Sequence, residues 1–141
     1  MTTRRNFIQT TAAAGAAMAF PQANAADDDV LRLGLLTVKT GPLASGGIDM
    51  ERALTMYLSE RNNMMAGKKV QLFVADTGGV PATAKSKIQE LYELNKIHVL
   101  TGPLAAFEAL AIDDYIKANK IPTLSVAAQD MTLLDSGITI L

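Results

Sequence analysis

The sequence contains no cysteine and only one histidine, His98. Without cysteine the chain has no disulfide, no thiolate metal site, no cysteine nucleophile and no lipid-modified N-terminal cysteine. A single histidine argues against a histidine-based catalytic triad and against a metal site with several histidine ligands. We therefore predict that the protein uses neither a metal ion nor a cofactor.

Basic residues do not outnumber acidic residues in this sequence. Lys and Arg number 13 against 14 Asp and Glu, which leaves a net charge of −1. A protein that neutralises phosphates needs a basic surface, so nucleic acid is not a predicted partner. The 141 residues are 49% hydrophobic and 19% charged, a length and composition typical of one folded domain.

The first 25 residues have the pattern of a cleaved export signal. An apolar, alanine-rich stretch covers residues 10–20, and Ala23 and Ala25 then form an A-x-A cleavage motif. The stretch is about 11 residues long, short of the ~20 that a transmembrane helix needs. We expect cleavage after Ala25, export to the periplasm, and a mature chain that does not span the membrane.

Two adjacent arginines, Arg4 and Arg5, precede the apolar stretch. An arginine pair followed by phenylalanine resembles the twin-arginine export signal. The alternative is an ordinary Sec signal that carries two arginines by chance. Both routes export the protein, and we favour the twin-arginine route.

The rest of the chain, residues 26–141, alternates between strand and helix patterns. Short apolar runs predict strands at residues 30–36, 70–75, 97–101 and 122–126, with a fifth beginning at 137–141. Apolar residues at helical spacing predict helices over residues 50–61, 81–92 and 107–116. This order implies right-handed crossovers and an α/β fold, a doubly wound parallel sheet with helices on both faces.

Three turns follow predicted strands, at residues 40–47, 101–107 and 125–129. Ligands of open α/β sheets bind beyond the carboxyl ends of the strands, and free N–H groups at a helix start favour an anion. The alternative is that glycine and proline here only make tight turns. The repeat of Thr-Gly-Pro-Leu-Ala in the first two turns favours a binding role.

No catalytic set is recognisable in the sequence. The dinucleotide fingerprint, the phosphate-binding P-loop and the nucleophile elbow are all missing. His98 falls inside an apolar strand pattern, which indicates a structural residue. Asp76 is explained as a turn former beside Thr77 and Gly78. We therefore predict no enzyme activity and no catalytic residues.

Residues 33–134 resemble the periplasmic solute-binding proteins of branched-chain amino-acid ABC transporters. The motifs that carry the resemblance keep the family's order and spacing, at residues 35–44, 67–72, 81–84, 99–103 and 121–128. The resemblance implies two α/β lobes that close on a small ligand, and an ABC permease of the inner membrane as partner. Residues 26–141 correspond to part of the N-terminal lobe, so we expect a truncated protein or a gene fragment.

The resemblance also implies a ligand site, in which hydroxyl and backbone groups hold an amino acid. Carried onto this sequence, the site comprises Ser45, Gly46, Ala105, Ala106, Phe107, Ala127, Ala128 and Gln129. Here Ala106 replaces a frequent serine, Gln129 a frequent threonine and Gly46 a frequent aromatic residue. Backbone N–H groups remain for a carboxylate. An aromatic or aliphatic acid, with Phe107 as an apolar wall, therefore competes with a branched-chain amino acid as the ligand.

Three other functions remain open from the sequence. A periplasmic ligand sensor could use the same fold, and a truncated fragment could have no function. An exported α/β enzyme would need chemistry that this sequence does not contain. The leading interpretation is a receptor that delivers a small carboxylate-bearing ligand to a transporter.

Overall fold

The structure is a computed structural model and describes residues 29–126 and 139–140. Outside these ranges lie the predicted signal and cleavage residues and three predicted ligand residues: Arg4, Arg5, Ala23, Ala25, Ala127, Ala128 and Gln129.

Within the described residues, six strands form one sheet. They are β1 (Val30–Thr37), β2 (Met64–Met65), β3 (Lys68–Asp76), β4 (Val99–Thr101), β5 (Thr123–Leu124) and β6 (Thr139–Ile140). Their order across the sheet is β2-β3-β1-β4-β5-β6. All neighbours are parallel except β2, which pairs antiparallel with β3. The predicted doubly wound α/β sheet is confirmed.

Three helices between residues 44 and 119 cover the two faces of the sheet. They are α1 (Ala44–Glu60), α2 (Pro81–Gln89), which continues as a π-helical turn over Glu90–Leu94, and α3 (Ala106–Asn119). On one face, Leu58 of α1 packs against Leu33 of β1. On the other face, Ile88 of α2 and Ile112 of α3 pack around Leu36 of β1. None of the helices in the described ranges is long and apolar enough to cross a membrane.

The sheet face beside α1 is only partly covered. Side chains that alternate along β1, β4 and β5 leave an apolar cavity of about 370 Å³ there, lined by Leu31, Leu33, Leu54, Tyr57, Met65, Val99, Thr101 and Leu124. Successive side chains of a strand point to opposite faces. The residues between these, such as Leu100, therefore face α2 and α3.

The structure begins α1 earlier than the sequence predicts. The expected helix starts near Met50, whereas α1 starts at Ala44, whose N–H donates to the carbonyl oxygen of Gly41 at 3.2 Å. Ser45 and Gly46, predicted in a loop, therefore lie in the first turn of α1. The start of α2 agrees with prediction, because Pro81 occupies its first turn and Val80 provides no side-chain cap.

The sequence does not predict β2. Two residues are too few to show the alternation by which a strand is recognised. The hairpin between β2 and β3 has positive φ at both turn residues, 51° at Ala66 and 78° at Gly67. Such turns match the right-handed twist of paired strands. β2 is the edge strand of the sheet and pairs with β3.

Candidate ligand-binding site

The strand order reverses beside β1. From β1 the chain passes to β3 on one side and then to β4 on the other. In open α/β sheets, ligands bind at this point, beyond the carboxyl ends of the strands. The first turns of α1 and α3 both lie at this edge, because each helix follows the carboxyl end of its strand.

The carboxylate of Asp76 ties two loops of this edge together. One oxygen accepts hydrogen bonds from the backbone N–H groups of Lys39 at 2.7 Å and Gly78 at 2.9 Å. The other accepts from the hydroxyl of Thr40 at 3.1 Å. Burial raises the pKa of Asp76, but these hydrogen bonds outweigh it, so the pKa lies below its ordinary value. The bond to Gly78 agrees with the predicted turn role; the sequence does not predict the bonds to Lys39 and Thr40.

The first turn of α1 is in direct contact with the end of β1. The buried hydroxyl of Thr37 donates to the carbonyl oxygen of Gly47 at 3.1 Å. A Cβ atom built on Gly47 would lie 1.8 Å from the carbonyl oxygen of Val38, far closer than any real contact. Only glycine fits here, and this contact fixes the position of the helix start at the edge.

Ser45 and Gly46 are exposed in that first turn. The first N–H groups of an α-helix have no acceptor within the helix. In α1 the N–H of Ala44 donates to Gly41, so the N–H groups of Ser45 and Gly46 are the ones that can reach a ligand. A Cβ atom on Gly46 would lie 3.5 Å from Cδ2 of Leu104, in the turn between β4 and α3. The start of α1 therefore lies next to the start of α3.

The turn between β4 and α3 also packs closely against β1. Gly102 has a φ of 98°, and a Cβ atom there would lie 2.1 Å from the carbonyl oxygen of Leu36. Ala105 then caps α3 without any side-chain hydrogen bond. Ala106 is partly buried, and Phe107 is 48% exposed. The helix thus begins with uncapped N–H groups beside an exposed aromatic ring.

The inward face of α3 differs from the predicted one. The sequence predicts an apolar line through Phe107, Ala111, Ile112, Tyr115 and Ile116, whereas the buried residues are Glu108, Ala109, Ile112 and Ile116. Glu108, Ile112 and Ile116 are spaced at i, i+4 and i+8, so they share one face of the helix. This spacing is the sequence feature that could have indicated a buried Glu108. Sequence reasoning missed Glu108, because a carboxylate is seldom buried without a partner.

His98 precedes β4 and is exposed, contrary to its predicted place inside a strand. Its ring nitrogen Nδ1 accepts a hydrogen bond from the backbone N–H of Arg32 at 3.2 Å. This contact fits the structural role that we predict for it. Across residues 29–126, no group of three or more histidine, aspartate or glutamate side chains is placed to hold a metal ion.

Replacing Asp76 with asparagine should weaken the hydrogen bonds that join the two loops at the carboxyl edge of the sheet, and so destabilise the protein. We expect a loss of about 1–2 kcal/mol in the free energy of unfolding at pH 7, because the amide is a weaker acceptor than the carboxylate. Because the pKa of Asp76 is lower in the folded protein than its ordinary value of about 4, the ionised side chain stabilises the fold at pH values above 4. This stabilisation disappears as the pH falls through the pKa of the folded state. The difference between wild type and Asp76→Asn should therefore shrink by pH 3.

Urea unfolding at pH 7, 5 and 3 measures this difference. The exposed Asp114, changed to asparagine, is the matched control and should unfold like wild type at every pH. An equal loss in Asp76→Asn at pH 7 and pH 3 would contradict a role for the charged form.

Comparison with known proteins identifies both parts of the chain. The family model for periplasmic binding proteins matches residues 30–137. The model for the twin-arginine translocation pathway signal sequence matches residues 1–21, which confirms the predicted signal. The protein is exported to the periplasm.

A curated relative is the Leu/Ile/Val-binding protein homolog 6 of Brucella abortus (strain 2308). It is 26% identical over 113 residues, which are 79% of this chain and 29% of the relative. The chain thus spans about three tenths of the length of the curated relatives it matches.

Solved structures show the same fold. The solute-binding protein of an ABC transporter from Rhodopseudomonas palustris BisB5, in complex with 3,4-dihydroxybenzoic acid, is 26% identical with a TM-score of 0.74; the match covers 79% of this chain and 31% of that one. The branched-chain amino acid transporter substrate-binding protein LivJ from Streptococcus pneumoniae, in complex with isoleucine, is 19% identical with a TM-score of 0.72, over 79% of this chain and 33% of LivJ. The family model covers well over half of the sequence, and this chain belongs to the periplasmic binding protein family.

Proposed function

We propose that this chain is the ligand-binding edge of an extracytoplasmic receptor that delivers a small carboxylate-bearing ligand to an ABC permease. The observation that carries the proposal is the meeting of two uncapped helix starts, those of α1 and α3, at the edge where the strand order reverses. Each start presents free N–H groups and the positive end of a helix dipole. Together they favour an anion at one place.

Backbone groups do most of the binding in this proposal. Ala105 and Ala106 have no polar side-chain atoms, so at the start of α3 they can donate to a ligand only through backbone N–H groups. Ser45 adds one exposed hydroxyl from the first turn of α1. A carboxylate, which accepts several hydrogen bonds at once, fits such a set of donors. In the sequence, residues 127–129 follow β5, whose carboxyl end lies at this edge of the sheet. We propose that they complete the site.

The body of the ligand is proposed to be apolar. Phe107 exposes 48% of its surface beside the helix start, although an isolated aromatic ring is poorly hydrated. A branched-chain amino acid and an aromatic or aliphatic acid each combine a carboxylate with an apolar body. Isoleucine and 3,4-dihydroxybenzoic acid, bound by two of the similar proteins, represent these two classes.

Titration with leucine, benzoate and a short aliphatic acid tests the proposal. In the family, as the resemblance implies, two lobes share the ligand, so we expect the chain by itself to bind in the millimolar range, at about −4 kcal/mol. Calorimetry or NMR titration measures this. Ser45→Ala should weaken binding by about threefold to tenfold, the value of one hydrogen bond.

Ser59→Ala is the matched control, because Ser59 is an exposed serine at the other end of α1. It should leave binding unchanged. Failure of all three acids to bind at any soluble concentration would contradict a carboxylate site. Micromolar binding of leucine would contradict the expectation that this chain supplies only part of the contacts.

The transporter partner is open to a separate test. We expect the gene for this protein to lie beside genes for a permease and an ATPase. A sensor kinase gene in their place would favour the periplasmic sensor instead.

A further inference from the structure

The cavity beside α1 is an apolar surface that the described residues leave open. None of the residues that line it is charged. Two of them, Tyr57 and Leu124, are 43% and 41% exposed. An exposed apolar concavity of this kind marks a site of interaction, because water is a poor partner for it. We therefore expect an apolar group to occupy it.

The connection between β5 and β6 is expected on the opposite face of the sheet from this cavity. β4 and β5 are joined through α3, which packs on that opposite face. From β5 to β6 the chain moves on in the same direction across the sheet, and these two strands are also parallel. A right-handed crossover therefore takes the connection over the face of α3. The occupant of the cavity must come from elsewhere.

The N-terminal segment joins the sheet next to the cavity. Val30 begins β1, and Leu31 lines the cavity. The carbonyl oxygen of Asp29 accepts a hydrogen bond from the backbone N–H of Lys69 at 3.1 Å, which fixes the point where the chain enters the sheet. Residues 21–28 separate this point from the apolar stretch of the signal, and fully extended they span up to about 28 Å. The apolar stretch is therefore within reach of the cavity.

The apolar stretch also matches the cavity in its chemistry. Residues 10–20 carry no charge, and Met18 and Phe20 are their large side chains. A flexible thioether fills irregular apolar gaps, and an aromatic ring buries a large apolar area. Because the stretch belongs to the same chain, its local concentration at the cavity is in the millimolar range, so weak contacts are enough to keep it bound.

We propose that the apolar stretch of the signal packs into the cavity beside α1 in the precursor, the form that still carries the signal, with Met18 and Phe20 as its anchors. The signal then both directs export and covers the open face of the sheet. Its removal, predicted after Ala25, uncovers the cavity. The mature chain therefore exposes more apolar surface than the precursor, although it has lost an apolar segment.

The test follows the signal in the uncleaved precursor, made by cell-free synthesis. Because the sequence contains no cysteine, Ala19→Cys attaches a spin label at one position, between the two anchors. The label broadens the amide NMR signals of residues near it. Tyr57 and Val99 line the cavity, whereas Leu94 lies in the π-helical turn on the opposite face. We expect Tyr57 and Val99 to lose most of their amide signal and Leu94 to keep most of its own.

Two variants of the labelled precursor show whether the contact is specific. Phe20→Asp would bring a charge into an apolar cavity that has no cation to offset it, so the signals of Tyr57 and Val99 should return. Phe7→Asp changes an aromatic residue outside the apolar stretch and should leave the broadening unchanged.

A second measurement does not depend on the label. The dye 1-anilinonaphthalene-8-sulfonate fluoresces on exposed apolar surface. If the signal is not packed, the precursor exposes the cavity and the signal together and should bind more dye than residues 26–141. We expect the precursor to bind at most about half as much dye per molecule.

Equal broadening on the two faces of the sheet would overturn this inference, as would more dye on the precursor than on the mature chain. A mixture of spin-labelled precursor and isotope-labelled precursor without a spin label tests the other occupant. Broadening of Tyr57 and Val99 between molecules in that mixture would assign the cavity to a second copy of the chain and would also overturn the inference.

Discussion

Replacing Gly47 with alanine is expected to unfold the protein or to lower its free energy of unfolding by at least about 3 kcal/mol. The added methyl group would lie 1.8 Å from the carbonyl oxygen of Val38 and 2.8 Å from the hydroxyl oxygen of Thr37. Val38 directly follows β1, and its backbone cannot move aside without pulling on the end of that strand, so α1 must shift. The shift would also break the hydrogen bond from Thr37 to the carbonyl oxygen of Gly47.

Gly46 provides a control one residue away. A methyl group there meets only the flexible end of Leu104, at 3.5 Å. Alanine is a better helix former than glycine, so Gly46→Ala should be neutral or stabilise by up to about 1 kcal/mol. Circular dichroism and urea unfolding compare the two variants. Equal stability of Gly46→Ala and Gly47→Ala would contradict the close contact between α1 and β1.

Replacing Arg4 and Arg5 together with lysine is expected to stop export. The two lysines keep the positive charge of the signal, so a Sec route would tolerate them, whereas a twin-arginine route reads the arginines themselves. The full-length precursor should accumulate in the cytoplasm. The periplasmic form, expected to begin at Ala26, should disappear from the mass spectrum of the periplasmic fraction.

A control for this change is Arg52→Lys, an exposed position of α1 in the mature part of the chain. It should leave export at the wild-type level. Undiminished export of the double variant would assign the protein to the Sec route and contradict the twin-arginine interpretation.

Much of the fold could be predicted because short sequence patterns specify most of its helices and strands. Apolar runs such as the one in β1 and the proline at the start of α2 each specify an element within a few residues. The alternation of strands with helices then leaves few topologies to consider. The antiparallel β2 was not predictable, since its two residues show no period and depend on the turn at Ala66 and Gly67.

The sequence predicts the candidate site only in outline. Sequence reasoning places Ser45, Gly46 and residues 105–107 after strands, and parallel strands bring those ends to one edge. It gives no information on hydrogen bonds between distant residues, such as those of Asp76 with Lys39 and Thr40. It also misses Glu108, because the inward face of α3 is decided by how the helix sits on the sheet.

The location of carboxylate binding tests the proposed site most directly. Leucine or benzoate is titrated into the isotope-labelled protein, and amide shifts are mapped onto the sheet. We expect the largest shifts in residues 45–47 and 105–107, at the carboxyl ends of the strands, with no change at Val30 or Lys69 at the opposite edge. Shifts concentrated at that opposite edge, with none at the starts of α1 and α3, would contradict the proposed site.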